Sequence, residues 1–107
     1  MSETHPPIDL DTMQATVSQA CALLKVLANP DRLLLMCQLS RGELPVGELE
    51  MQLGIRQPTL SQQLGVLREN ALVTARRDGK NIFYSVASPE ALAVMTVLYE
   101  QFCANAT

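Results

Sequence analysis

Apolar positions recur at helical spacing along most of this chain, interrupted by one stretch, residues 72–87, that reads as two strands. From about Asp11 to Leu27, Met13, Val17, Ala20, Cys21, Leu24 and Leu27 fall on one face, which predicts an amphipathic helix. Asn29-Pro30-Asp31 predicts the start of a second helix: a capping amide, a proline for the first turn and an acid at the positive end of the dipole. That helix carries Leu33, Leu34, Leu35, Met36, Cys37 and Leu39, so it is expected to be nearly all buried, and Arg41-Gly42 ends it. Val46 to Leu53 predicts a short third helix with Leu49 and Leu53 facing inward, and Gly54-Ile55-Arg56 the turn after it. A fourth helix opens around Pro58 and buries Leu60, Leu64 and Leu67. Leu72–Arg77 and Asn81–Ala87 read as two strands joined at Asp78-Gly79, a hairpin turn signal. Ser88-Pro89-Glu90 starts a last helix whose stripe is Leu92, Met95, Leu98, Tyr99, Phe102 and Cys103. The expected fold is mainly α (α+β), in the order four helices, two strands, one helix.

The polar positions of the fourth helix are informative. Thr59, Ser61, Gln62 and Gly65 lie opposite its leucines, Gln63 flanks them, and Gln57 stands just ahead. These are amides and hydroxyls rather than the Glu/Lys mixture usual on a solvated face, and such groups read base edges in a DNA major groove. Amides suit adenine; arginine suits guanine or phosphate. Gly65 in a helix interior costs up to ~1 kcal/mol relative to alanine unless something must come close. The hairpin that follows offers Arg76, Arg77 and Lys80, with Gly79 at its tip, for phosphates or a minor groove. A helix that reads beside a wing that grips is the layout of a winged helix-turn-helix DNA-binding domain. A solvated helix beside an ordinary hairpin would show part of the same pattern.

Charge supports DNA only when its distribution is considered. The net charge is −3, yet residues 56–80 hold Arg56, Arg68, Arg76, Arg77 and Lys80 against Glu69 and Asp78. Local field decides where a phosphate backbone settles. At 107 residues the chain predicts one domain, residues 11–105, after a flexible N-terminal arm, residues 1–10, that contains Pro6-Pro7. No apolar run reaches the roughly 20 residues of a membrane span, and the N-terminus lacks the pattern of a signal peptide, so a cytoplasmic protein is expected. The first and last helices leave apolar surface that a small core does not cover, which predicts a homodimer.

Candidate chemistry is sparse. Cys21, Cys37 and Cys103 are widely spaced and form neither a disulfide framework nor a CxxC pattern. A thiol oxidoreductase would need such a pair. No general acid–base pair or phosphate-binding glycine loop suggests any other enzyme, and no cofactor is expected. His5, the one histidine, reads as a solvated bystander in the arm, and scattered carboxylates with one histidine make a poor metal site.

The stretches ELPVGEL, QPTLSQQLGVLRENALV and RRDGKNIFYSV, in this order of elements, resemble the ArsR/SmtB family of dimeric bacterial repressors over roughly residues 13–104. The resemblance implies double-stranded operator DNA as partner, with Gln57, Ser61 and Gln62 in the groove and Thr59 and Gln63 beside them. It implies Arg76, Arg77 and Lys80 on the backbone, and a homodimer built through the first and last helices. Many metal-sensing members carry ELCVCDL where this chain has ELPVGEL; Pro45 and Gly47 replace both thiolates, so that metal site is absent. The last helix, PEALAVMTVLYEQFCA, has no histidine and only Glu90 and Glu100, so the alternative site is absent too.

Cys37 and Cys103 resemble the cysteine pair of a thiol-sensing subgroup, through GELEMQLGIRQPTLSQQLGVLRE and the FC ending. This implies a repressor that leaves its operator when sulfide-derived or oxidising small molecules link the two thiols, by a disulfide or a chain of added sulfur. The residues alone also fit two small hydrophobes in a core. No basic residue adjoins either cysteine in sequence, although Arg41 is one helical turn from Cys37. Cys21 reads as packing. A repressor gated by an atypical metal site, or a protein-interaction module that never touches DNA, are the other functions compatible with this chain.

Overall fold

The computed structural model describes residues 9–103. Helix α1 spans Leu10–Leu27, with Asp9 accepting from the Thr12 N–H at 2.8 Å as its cap. It therefore starts inside the range expected for the arm, whose residues 1–8 lie outside the described residues. Helix α2 spans Pro30–Leu39, and Asn29 Oδ1 accepts from the Arg32 N–H at 3.0 Å, as its sequence predicts. Strand β1 is Leu44–Pro45, α3 is Val46–Leu53 and α4 is Thr59–Glu69. Strands β2, Val73–Asp78, and β3, Asn81–Val86, lead to α5, Pro89–Leu98, capped by Ser88. A wide π turn, Tyr99–Cys103, closes the described chain.

The winged helix-turn-helix arrangement is as expected, with two corrections in the sheet. There are three strands, in the order β1-β3-β2, all antiparallel. The extra strand pairs Leu44 with Tyr84 and Pro45 with Phe83. Two residues carry no alternation to betray a strand, and Pro45, lacking an N–H, is tolerated because β1 is an edge. The hairpin also turns one residue later than expected. Asp78 pairs with Asn81, which leaves Gly79 and Lys80 at the tip, and Gly79 supplies the positive φ of +64°.

The core gathers leucines from every helix-turn-helix element around Leu35, Leu49, Leu60, Leu64 and Leu67, with Met36 and Met95 filling between them. Helix α2 is less buried than its apolar run suggests: Leu34 is 45% exposed and Cys37 is exposed. The helix packs against α1, α3, α4 and β3 and leaves this flank open. Helix α1 meets the core through Leu23, Val26 and Leu27. Most of the stripe that its periodicity picks out, Met13, Val17, Cys21 and Leu24, is open instead. Leu92, Val97, Tyr99 and Phe102 of the C-terminal segment are open as well. Cys21 does not pack within its own chain.

Leu64 sits 1% exposed at the centre of this core. Leu64→Ala is expected to lower unfolding free energy by about 2–5 kcal/mol in urea titration. A loss under about 1 kcal/mol would contradict a core centred on α4.

Candidate nucleic-acid interface

Burial of Leu60, Leu64 and Leu67 turns the opposite face of α4 to solvent, by the 3.6-residue period alone. Gly54, at φ +70°, ends α3 in the left-handed conformation and makes the corner before it. Pro58 offers α4 no side-chain cap. Gln57 substitutes for one: its Oε1 accepts from the Ser61 N–H at 3.2 Å and from Ser61 Oγ at 2.7 Å. Gln63 is half-buried, and its Oε1 accepts from Arg32 Nη1 at 2.9 Å. Arg32 Nε in turn donates to the Val26 carbonyl at 2.6 Å, so one guanidinium ties α4 to α2 and to the end of α1. Thr59 is half-buried. Gln62 is exposed, and its side chain makes no hydrogen bond among the described residues. No atom of the chain lies within 4 Å of where a Cβ on Gly65 would stand, so internal packing does not require glycine there.

The three wing cations are not equivalent. Arg76 makes a two-pronged pair with Glu43, Nε to Oε2 at 2.8 Å and Nη2 to Oε1 at 2.7 Å. Its guanidinium also lies 4.5 Å from the centre of the Phe83 ring, its cross-strand partner. The Arg76 hydrogen bonds hold the Glu43 carboxyl below its usual pKa, and Glu43 raises that of Arg76, so both stay charged at neutral pH. Arg77 and Lys80 are exposed and form no ion pair among the described residues. Between α4 and the wing lies a cleft of about 340 Å³ lined by Gln57, Ser61, Lys80, Asn81 and Tyr84 among others. The fold thus brings expected groove and wing residues to one surface. Glu43, Phe83 and Arg32 were not among the expected site residues, and no motif marks them; only tertiary pairing shows their part.

Cys37 on α2 and Cys103 in the π turn are both free and exposed. The Cys37 thiol is pushed up from its ordinary pKa, first by partial desolvation and then by the charge of Cys103. The two cysteines lie on elements far apart in sequence. Arg41, one turn along from Cys37, does not reverse the direction. Among the described residues, no three His, Cys, Asp or Glu side chains converge as a metal site, and His5 lies outside them.

A polar helix face beside a cationic β-wing, on a helix-turn-helix core, defines a winged-helix DNA-binding regulator. Residues 29–75 match the family described as "Bacterial regulatory protein, arsR family". The chain is 53% identical over 97 residues to the biofilm growth-associated repressor of Agrobacterium fabrum, covering 91% of this chain and 83% of the relative. The crystal structure of the transcriptional repressor BigR from Xylella fastidiosa superposes with a TM-score of 0.82 at 48% identity, covering 90% of this chain and 98% of that one. Reduced HlyU from Vibrio cholerae gives a TM-score of 0.85 at 38% identity, over 88% and 99% of the two chains. This chain belongs to the ArsR family and is a transcriptional regulator.

The raised Cys37 pKa sets a pH dependence. Its thiolate forms only at higher pH than that of an ordinary cysteine, so iodoacetamide should label it with a midpoint above the usual thiol range. Cys103→Ser removes the neighbouring charge and should move that midpoint down. Labelling rates followed by peptide mass spectrometry check this, and an unmoved midpoint would mean the thiols do not sense each other.

Proposed function

We propose that this regulator is a homodimeric repressor that releases its operator when Cys37 and Cys103 become covalently linked. The observation that carries this reading is that Cys37, on α2, and Cys103, beyond α5, are both free and exposed, with Cys103 contributing after desolvation to the raised pKa of Cys37. An oxidant removes two electrons and two protons from the pair and leaves a disulfide. With a persulfide donor, each thiol takes one sulfur and releases the donor's thiol. The two protein persulfides then condense to a trisulfide with loss of H₂S. A direct disulfide needs Cα atoms within about 7 Å, whereas an added sulfur relaxes that limit.

Dimerisation is supported by the open apolar faces of α1 and the C-terminal segment, where Val17, Leu24, Val97 and Phe102 are each more than half exposed. A two-fold dimer presents two copies of α4, and half-sites one helical turn apart fix their spacing. A link from α2 to the C-terminal segment acts on the elements that set this spacing. The relative solved in a form described as reduced is in keeping with a thiol-dependent regulator.

DNA contact is supported by the cleft between α4 and the wing, which Lys80 lines, and by the exposed, unpaired Arg77 on β2. Arg77→Ala or Lys80→Ala should weaken binding to the protein's own promoter and flatten the dependence of log K on log salt by about one unit each. Arg76→Ala should flatten it less, because that charge is already neutralised by Glu43. Equal salt slopes for parent, Arg77→Ala and Lys80→Ala would remove the wing from the interface.

Cys37→Ser and Cys103→Ser should each bind DNA like the parent in gel shift yet stay bound after treatment with a persulfide donor or peroxide. If either single variant releases DNA as the parent does, linkage of this pair is not the trigger.

A further inference from the structure

The three glutamines at the start of α4 look interchangeable in sequence, but their hydrogen bonds differ. An amide side chain discriminates adenine by using both ends at once: its oxygen accepts from N6–H₂ while its nitrogen donates to N7. That requires a carbonyl free of internal partners. The oxygen of Gln57 already accepts from two donors, the Ser61 N–H and the Ser61 hydroxyl, which occupy its two lone pairs. The oxygen of Gln63 accepts from the Arg32 guanidinium, which has no acceptor to offer, so the amide orientation is forced. This bond is charge-assisted, and Arg32 is itself anchored on the Val26 carbonyl. Gln63 is also half-buried.

Gln62 differs from both in its amide. It is exposed, both ends of its amide are unpartnered among the described residues, and its backbone N–H is satisfied by the Pro58 carbonyl at 3.0 Å. It lies in the first half of α4, the part of a recognition helix that meets base edges. Gly65, three residues on and so on the same flank, adds no side chain and stands in open space. A base pair can therefore approach the helix backbone beside Gln62.

We propose that Gln62 alone among the three glutamines discriminates adenine, by a two-pronged contact in the major groove, while Gln57 and Gln63 are positioning residues that fix the start of α4 and its tie to α2. The proposal rests on the DNA-reading function above and adds to it the base that is read and the residue that reads it.

Selection from a random duplex pool, with the full chain in reduced form and with Gln62→Ala, Gln57→Ala and Gln63→Ala, tests this. The parent should enrich a motif with one adenine per half-site preferred by about tenfold or more. Gln62→Ala should lose that preference, and it removes no internal contact, so its fold is retained. Gln57→Ala and Gln63→Ala should keep the preference while binding more weakly. Replacing that adenine by 7-deazaadenine, which lacks the N7 acceptor, should weaken the parent and leave Gln62→Ala unchanged. Adenine preference that survives in Gln62→Ala, or that vanishes in a folded Gln57→Ala or Gln63→Ala, overturns the division of roles and leaves the regulator intact. Enrichment of no sequence by the parent would overturn the DNA-reading function and this proposal with it.

Discussion

Everything that this surface can do depends on three leucines that never reach it. Leu60, Leu64 and Leu67 are buried almost completely, and they hold α4 in the core by one face. Removing that much apolar area from water is worth roughly 1.5–3 kcal/mol per side chain, well beyond any single polar contact on the other face. At Gln62 and Gly65 the outward face is thereby free of any internal contact. It can be composed for recognition, with amides, hydroxyls and a glycine that helix propensity would not select.

The wing shows a similar division between groups that hold and groups that remain available. Arg76 is spent inside the protein, paired with Glu43 and stacked on Phe83, and it fixes the segment before β1 to the sheet. The pair is exposed, so water and salt screen it, and its value lies more in orientation than in stability. Arg77 and Lys80 keep their full charge outward. A net charge of −3 for the chain is compatible with a phosphate-binding edge because these charges are local to the tip.

Helix α2 carries both the tie to α4 and Cys37. Near its start, Arg32 reaches both the Val26 carbonyl and Gln63 of α4. On its open flank, Cys37 lies under the electrostatic influence of Cys103. Under the proposed function, a covalent link at the second place acts on the same rigid element that holds the first. Interiors packed at crystal-like density pass such displacements on rather than absorbing them.

Much of this was legible in the sequence because it depends on local rules. Helical spacing located the five helices, Asn29-Pro30 and Ser88-Pro89 marked two of their starts, and the leucine stripe of the fourth fixed which of its faces is buried. Those signals operate within a few residues, where steric period and capping chemistry are set by the chain itself. Strand β1 was not legible, since two residues have no pattern and exist as a strand only through Tyr84 and Phe83. Nor was the open flank of α2, because an apolar run records what avoids water but not which neighbour is missing. The partnerships Arg76–Glu43 and Arg32–Gln63 join positions far apart in sequence, and no periodicity encodes them. Tertiary structure alone decided which of several similar side chains were already occupied, because a hydrogen bond or a charge is exhausted by whatever the fold places beside it.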